Sequence, residues 1–140
     1  MGQGVLLLGA VASGLIWSHQ WHSVPLLLCG WLLVLIAVIC GIAGATALGS
    51  NLNPFPQPAP DARLVQSGIY SLMRHPLYTA LMGGAVGWAL VRASWPALAG
   101  ALVLIAFLHA KASVEELLLR QLFPDYATYE RRVGRFIPWV

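Results

Sequence analysis

The sequence predicts an all-α, polytopic membrane protein with about four transmembrane helices, a C-terminal helix hairpin and a cytosolic tail. Of its 140 residues, 59% are hydrophobic and only 9% are charged, whereas a soluble domain is about 25% charged. The run 24–48 carries no charged side chain and is long enough to cross a bilayer as a helix. No charged residue precedes Asp61, so the charges cluster in the second half of the chain.

The apolar stretches predict the individual helices, which we place at about 4–17, 24–48, 77–91 and 93–110. The first and third are short for a hydrocarbon core of ~30 Å, since a helix rises ~1.5 Å per residue. We therefore expect them to recruit flanking residues. No basic residue precedes the first stretch, which favours a retained membrane helix over a cleaved signal peptide.

The connections between these stretches differ in kind. Arg92 separates the third and fourth stretches, and Trp95 and Pro96 follow within four residues. So short a link allows only an antiparallel helix hairpin. The longer connection contains Pro54, Pro56, Pro58 and Pro60, and such density forbids a regular helix and favours extended backbone. The single domain 1–140 thus divides into parts that we place at 1–48 (two spans), 49–75 (Pro-rich cytosolic loop), 76–114 (hairpin) and 115–140 (tail).

Charge placement predicts the orientation, with both termini cytoplasmic. This arrangement leaves only Arg92 outside and puts six arginines on the cytosolic side, as the positive-inside rule requires: Arg63, Arg74, Arg120, Arg131, Arg132 and Arg135. Four tryptophans then lie at the outer interface, where indole rings prefer to be: Trp17, Trp21, Trp88 and Trp95. The basic side also suits anionic membrane lipids. No targeting signal is recognisable, which favours the bacterial inner membrane.

The sequence argues against several kinds of partner. The arginines lie beside apolar spans, so we expect no nucleic-acid binding. Cys29 and Cys40 have no His or Cys partners at zinc spacing, so we expect no metal centre. His19 and His22 could share a helix face as metal ligands do, but they have no carboxylate nearby, and an interfacial role is the favoured interpretation.

Two separated segments carry the candidate chemistry. The first is the run 68–78, which includes Arg74 and His75, and the second is Glu115-Glu116. The predicted hairpin returns His75 and Glu116 to one membrane level. Each residue also has a structural explanation: His75 could cap the helix that Pro76 begins, and the glutamates could simply pair with arginines. Together they favour function, because ionisable groups near a span are costly.

These residues also carry a family resemblance. Arg74-His75-Pro76-Leu77-Tyr78, an apolar hairpin and Glu115-Glu116 resemble the signature of the isoprenylcysteine carboxyl methyltransferase family, which includes phospholipid methyltransferase relatives. The runs 64–70 and 123–138 are also similar to that family, and the resemblance covers about residues 45–140. Ala80 and Gly134 depart from it, since Gly and Pro respectively are frequent at those positions.

The resemblance implies S-adenosyl-L-methionine as the methyl donor, bound among the last helices, the loop and the tail. It assigns cofactor binding to His75, Pro76, Tyr78, Glu116, Tyr70, Tyr126 and Arg132. The catalytic candidates are His75, Arg74 and Glu115. A carboxylate can pair with the ammonium of that molecule and an Arg with its carboxylate. His109, seven residues before Glu116, shares its helix face and could point into the same cavity. A histidine that is hydrogen-bonded between helices is the equally favoured interpretation.

The activity expected is methyl transfer to a lipophilic or membrane-partitioned acceptor, which could be a carboxylate, a thiol or an amine. The alternative is a non-catalytic scaffold or a small four-helix transport protein. A proton-coupled transporter would need an acidic residue within an early span, and none precedes Asp61. Transport is therefore the weaker alternative, whereas a non-catalytic scaffold is harder to separate from an enzyme by sequence.

Overall fold

A computed structural model describes residues 2–49 and 64–138, and their regular structure is helical. The α-helices are α1 (Gly2–Ile16), α2 (Val24–Leu48), α3 (Pro76–Arg92), α4 (Trp95–Leu122) and α5 (Tyr126–Arg132), with a 3₁₀ helix at Gly68–Ser71. These described parts contain no strand, only one parallel bridge between Met73 and Gly134. The all-α prediction is confirmed. The four loop prolines and Arg63 lie outside the described residues.

The fourth helix is longer than predicted. It continues past Ala110 through Glu115 and Glu116 and ends at Leu122. Leu, Glu and Arg are strong helix formers, and no Gly or Pro interrupts the chain between Gly100 and Pro124. The helix stops just before Phe123, whose helical conformation Pro124 disfavours. Residue 115, at which we placed the start of the tail, therefore lies inside α4.

Two helices, α2 and α4, are long and apolar enough to cross a membrane. Only 17% of the most apolar window of α2 and 28% of that of α4 is buried, whereas the core helix of a soluble protein is mostly covered. Large apolar side chains such as Leu28, Trp31 and Ile42 are more than half exposed. Lipid is the solvent that suits such a surface, and the chain is a membrane protein.

The described chain forms two compact units. The first comprises Met1–Ile39 and Ala80–Leu108, and close helix contacts at glycine hold it together. A Cβ built on Gly87 would lie 2.8 Å from the Gly30 carbonyl oxygen. A Cβ on Gly14 would lie 2.4 Å from the Trp88 indole nitrogen. Packing this close is characteristic of helices that associate in lipid through small residues.

The turn between α3 and α4, in this first unit, consists of Ala93 and Ser94. Ala93 has a φ of 49°, and its N–H bonds to the Leu90 carbonyl (3.1 Å) while the Ser94 N–H bonds to the Ala89 carbonyl (3.1 Å). This is the Schellman pattern, which ends a helix and reverses the chain. The Ser94 hydroxyl then accepts a bond from the Ala97 N–H at 3.3 Å, capping α4. The predicted tight link is confirmed.

The second unit comprises Cys40–Thr79 and His109–Val140. Its described part contains the end of α2, the 3₁₀ helix, the first turn of α3, the end of α4, α5 and the C-terminal segment up to Pro138. All the charged residues of the predicted site lie in this unit.

Candidate functional site

The C-terminal segment runs beside the Arg74-His75 pair. The Arg74 N–H donates to the Gly134 carbonyl (2.9 Å), and the His75 N–H donates to the Arg135 carbonyl (3.0 Å). The Thr79 hydroxyl adds a bond to the Phe136 carbonyl at 2.7 Å. The His75 carbonyl accepts the Thr79 N–H, so His75 occupies the N-cap position of α3 and its ring is left for other contacts.

Glu116 is the centre of a buried ion cluster. Its side chain is 1% exposed. Its Oε1 lies 3.1 Å from His75 Nε2, 3.1 Å from an Arg74 guanidinium nitrogen and 3.1 Å from Arg135 Nε. A second Arg135 nitrogen donates to Oε2, so the Arg135 contact is bidentate, the strongest geometry for this pair. Both oxygens of this carboxylate are therefore occupied by the protein's own cations and imidazole.

Glu115 has a different environment although it is the next residue. Its side chain is 24% exposed and its Oε2 lies 3.9 Å from His75 Nδ1. The Tyr78 hydroxyl donates to that oxygen at 2.7 Å. The Lys111 ammonium lies 5.3 Å from the centre of the Tyr78 ring, within cation–π range. Glu115 is thus the glutamate of the pair that solvent or a ligand can reach.

Aromatic rings surround His75. The rings of His75 and Tyr78 are stacked, with centroids 5.2 Å apart and planes within 3°. The Phe136 ring lies 5.8 Å from the His75 ring and 4.6 Å from the His109 ring. The His109 ring therefore contacts the same aromatic group as His75 through Phe136, although the His109 side chain is exposed. Ring faces carry negative electrostatic potential and attract cations.

A second, more exposed ion pair adjoins the cluster. Arg120 donates twice to Glu130, at 2.9 and 2.6 Å, and Arg74 donates to the Glu130 backbone carbonyl at 2.9 Å. The hydrogen bonds from Arg120 lower the pKa of the Glu130 carboxyl, outweighing the effect of its partial burial. Since Arg120 is 45% exposed, this pair contributes little to stability; its main effect is to neutralise Glu130.

Three buried tyrosines pack under this network. The Tyr129 hydroxyl donates to the Tyr70 carbonyl at 2.6 Å. Tyr126 is 1% exposed, and its hydroxyl has no hydrogen-bond partner among the described residues. Burial raises the pKa of Tyr70 and of Tyr126. Burial also raises the pKa of Tyr129, to about 12, although the nearby Arg74 works in the opposite direction.

The shift at Tyr129 predicts a loss of stability in alkali. An unfolded tyrosine ionises near pH ~10, whereas folded Tyr129 ionises near pH 12. Stability from this group is thus fully present below pH ~10 and falls by about 1.4 kcal/mol per pH unit up to about pH 12. Unfolding of Tyr129→Phe in this window should release one proton fewer than unfolding of wild type. The Tm of the variant should therefore fall less steeply as the pH rises. Equal slopes for the two proteins would contradict the assignment.

The structure brings together most of the predicted site residues. His75, Arg74 and Glu116 meet directly, Tyr78 and Glu115 lie beside His75, and Pro76 begins α3. Tyr70 and Tyr126 lie in the buried layer described above. Arg132 is exposed and makes no ion pair within the described part of the chain.

Sequence reasoning did not single out Arg135, which pairs with Glu116. It also missed Thr79, Lys111, Glu130 and Phe136. The spacing of Arg131, Arg132 and Arg135 gives no reason to choose among them, because the choice depends on where α5 ends. That end, at Arg132, turns the chain so that residues 134–136 run beside Arg74 and His75.

Comparison with known proteins gives a family and a fold. The model of the phospholipid methyltransferase family matches residues 25–126. The chain is similar to the cobalt-zinc-cadmium resistance protein CzcN of Cupriavidus metallidurans, with 32% identity over 87% of this chain and 53% of the relative. It is also similar to the nickel-cobalt-cadmium resistance protein NccN of Alcaligenes xylosoxydans xylosoxydans, with 30% identity over 96% of this chain and 60% of the relative.

Among solved structures, the eukaryotic intramembrane Ras methyltransferase ICMT (isoprenylcysteine carboxyl methyltransferase) has the same fold. The TM-score is 0.78 at 22% identity, covering 98% of this chain and 52% of that one. The chain therefore spans between about half and three fifths of the length of these proteins.

Proposed function

This chain belongs to the phospholipid methyltransferase family of membrane methyltransferases, and we propose that it transfers a methyl group from S-adenosylmethionine to a lipophilic acceptor. The observation that carries the proposal is the meeting of two distant motifs. Arg74 and His75 contact Glu116, at 3.1 Å each, and Tyr78 bonds to Glu115 at 2.7 Å. A chain that needed only structural charge pairing would not require the partly exposed Tyr78–Glu115 pair next to the buried cluster.

The residues around His75 fit a cationic ligand. Glu115 is a partly exposed carboxylate, and the rings of His75, Tyr78 and Phe136 lie together beside it. A carboxylate would hold the ammonium of S-adenosylmethionine, and aromatic faces would favour its sulfonium and adenine. S-adenosylmethionine would supply an electrophilic methyl group to the acceptor.

The geometry supports different roles for the two glutamates. Glu115 would contact the cofactor. Glu116 would hold the side chains of His75, Arg74 and Arg135 in position through its buried contacts. The protein's main task in such a displacement is to align donor and acceptor and to exclude water. If the acceptor arrives protonated, His75 or Glu115 would take the proton.

We expect detergent-purified protein to bind S-adenosylmethionine and its demethylated product with micromolar affinity, about 8 kcal/mol by calorimetry. Saturating ligand should raise Tm by linkage. Tyr78→Phe keeps the ring stacked on His75 and removes only the hydroxyl that orients Glu115, so affinity should fall several-fold with Tm of the empty protein little changed. If millimolar ligand gives neither a heat of binding nor a Tm shift, the proposal that the protein is an enzyme is wrong.

The proposed topology places the site at the cytosolic interface of the bacterial inner membrane, with four spans and both termini cytoplasmic. Single cysteines at Ile137 and Trp95, both more than half exposed, would test it in a background lacking Cys29 and Cys40. An impermeant thiol reagent added to intact cells should label position 95 and spare position 137. The opposite pattern would remove the site from the cytosolic cofactor.

The names of the two relatives, both metal-resistance proteins, favour a second candidate, a non-catalytic role in metal resistance. Among the described residues no group of three or more His, Cys, Asp or Glu side chains is arranged to hold a metal ion. The two candidates separate in one experiment, in which metal tolerance of cells is measured with wild type and with Glu115→Gln. A catalytic role predicts loss of tolerance with the variant, and a scaffold role predicts none.

A further inference from the structure

A cavity in the second unit lies next to the ion cluster. Its volume is about 450 Å³, and its wall includes Arg74, Glu130, Arg131, Arg132, Gly134 and Arg135. This volume is in the range of small-ligand pockets. The wall is formed by Arg74 before α3, by the end of α5 and by residues 133–135. It is therefore not the end of a single helix.

The charge around this cavity is unbalanced. Glu130 is neutralised by a bidentate contact with Arg120, and Glu116 is shared between Arg74 and Arg135. Arg131 and Arg132 are exposed and form no ion pair with the described residues. Five arginines against two glutamates leave an excess of three positive charges, and this excess favours an anionic occupant.

Two arginine side chains of the wall remain available to a ligand. Arg131 and Arg132 line the cavity, are exposed and form no ion pair with the described residues. A guanidinium group carries donors only, so its partner must supply acceptor atoms. Arginine forks match the tetrahedral oxygens of phosphate in pairs.

We propose that this cavity binds a phosphate group, and that in the cell the group is the headgroup phosphate of an anionic membrane lipid. Arg131 and Arg132 hold the phosphate from the open side, and Arg74 and Arg135 hold it from the side of the ion cluster. Anionic lipids are concentrated at the membrane surface that attracts basic residues. The bound lipid holds this part of the protein at the membrane surface and balances the charge of the cavity arginines. It is not the methyl acceptor, so this role does not depend on methyl transfer.

The test compares three proteins in delipidated detergent solution: wild type, the double variant R131K/R132K and the double variant R131Q/R132Q. Each is titrated with short-chain phosphatidylglycerol, with phosphatidylcholine of the same chain length, or with inorganic phosphate, and Tm is followed. Both arginines are at the exposed end of α5, so the variants should fold like wild type. The Lys variant keeps the charge and loses the planar forks.

We expect phosphatidylglycerol to raise the wild-type Tm by several degrees and phosphatidylcholine to have a much smaller effect. The Lys variant should need at least tenfold more lipid for the same shift, and the Gln variant should show almost none. An equal shift with inorganic phosphate would support the phosphate site and assign it to free phosphate. The proposal fails if all three proteins respond alike, if wild type does not respond, or if S-adenosylmethionine abolishes the shift by competition.

Discussion

Replacing Glu116 with Gln is expected to destabilise the protein by about 3–5 kcal/mol, the typical cost of removing one partner from a buried ion pair. The carboxylate is 1% exposed and holds Arg74, Arg135 and His75. Glutamine keeps the shape but leaves two guanidinium groups without their shared counter-ion. Because Arg74 is itself only 8% exposed, water cannot readily replace the lost partner.

Glu115→Gln is the matched control, since the two positions are adjacent in α4. Glu115 is 24% exposed, and the Tyr78 hydroxyl that bonds to it can donate equally well to an amide oxygen. Stability should therefore change by less than about 1 kcal/mol, whereas affinity for S-adenosylmethionine should fall ten- to a hundredfold if a charge-assisted bond is lost.

Measuring Tm and cofactor affinity on both variants separates the two roles. We expect each variant to change a different quantity. Glu116→Gln should lower Tm strongly, and its folded fraction should bind the cofactor less well only to the extent that His75 has moved. Glu115→Gln keeps Tm and loses affinity. A stable Glu116→Gln protein that no longer binds cofactor would reverse the assignment and make Glu116 the ligand.

The outcome at this glutamate pair illustrates what sequence could predict of the site. The sequence predicts that Arg74-His75 and Glu115-Glu116 lie close together, because a short helix hairpin returns the chain to the membrane level from which it started. Which glutamate is buried could not be predicted. Adjacent helix positions differ by ~100° in direction, and the direction that faces Arg74 depends on the helix continuing without interruption through residue 116.

The fold was predictable to a similar depth. The bounds of α2 follow from an uninterrupted apolar run, and the start of α3 follows from Pro76. The length of α4 was underestimated because hydropathy ends near Ala110 while helix propensity continues to Leu122. The contacts of residues 134–136 could not be predicted, since backbone pairing between segments so far apart in sequence has no local signal.

Glycine spacing is a further place where the sequence is ambiguous. Gly83 and Gly87 together form a GxxxG pattern in α3, which predicts a helix contact through both residues. The structure distinguishes them. A Cβ on Gly87 would lie 2.8 Å from the Gly30 carbonyl oxygen and 3.0 Å from the Val34 backbone nitrogen, whereas a Cβ on Gly83 would lie 3.9 Å from the Ala37 Cβ.

Gly87→Ala is therefore expected to destabilise the protein by about 1–3 kcal/mol, because the added methyl group meets backbone atoms that cannot move without shifting α2. Gly83→Ala is the control. It makes the same chemical change one helical turn away, meets only an ordinary contact, and should be neutral or stabilising by up to about 1 kcal/mol through helix propensity. Unfolding of both variants in mixed detergent micelles, compared with wild type, gives the two free energies. Similar losses at the two positions would mean that α2 and α3 approach along the whole GxxxG face, and equal tolerance would mean that they are not in close contact at Gly30.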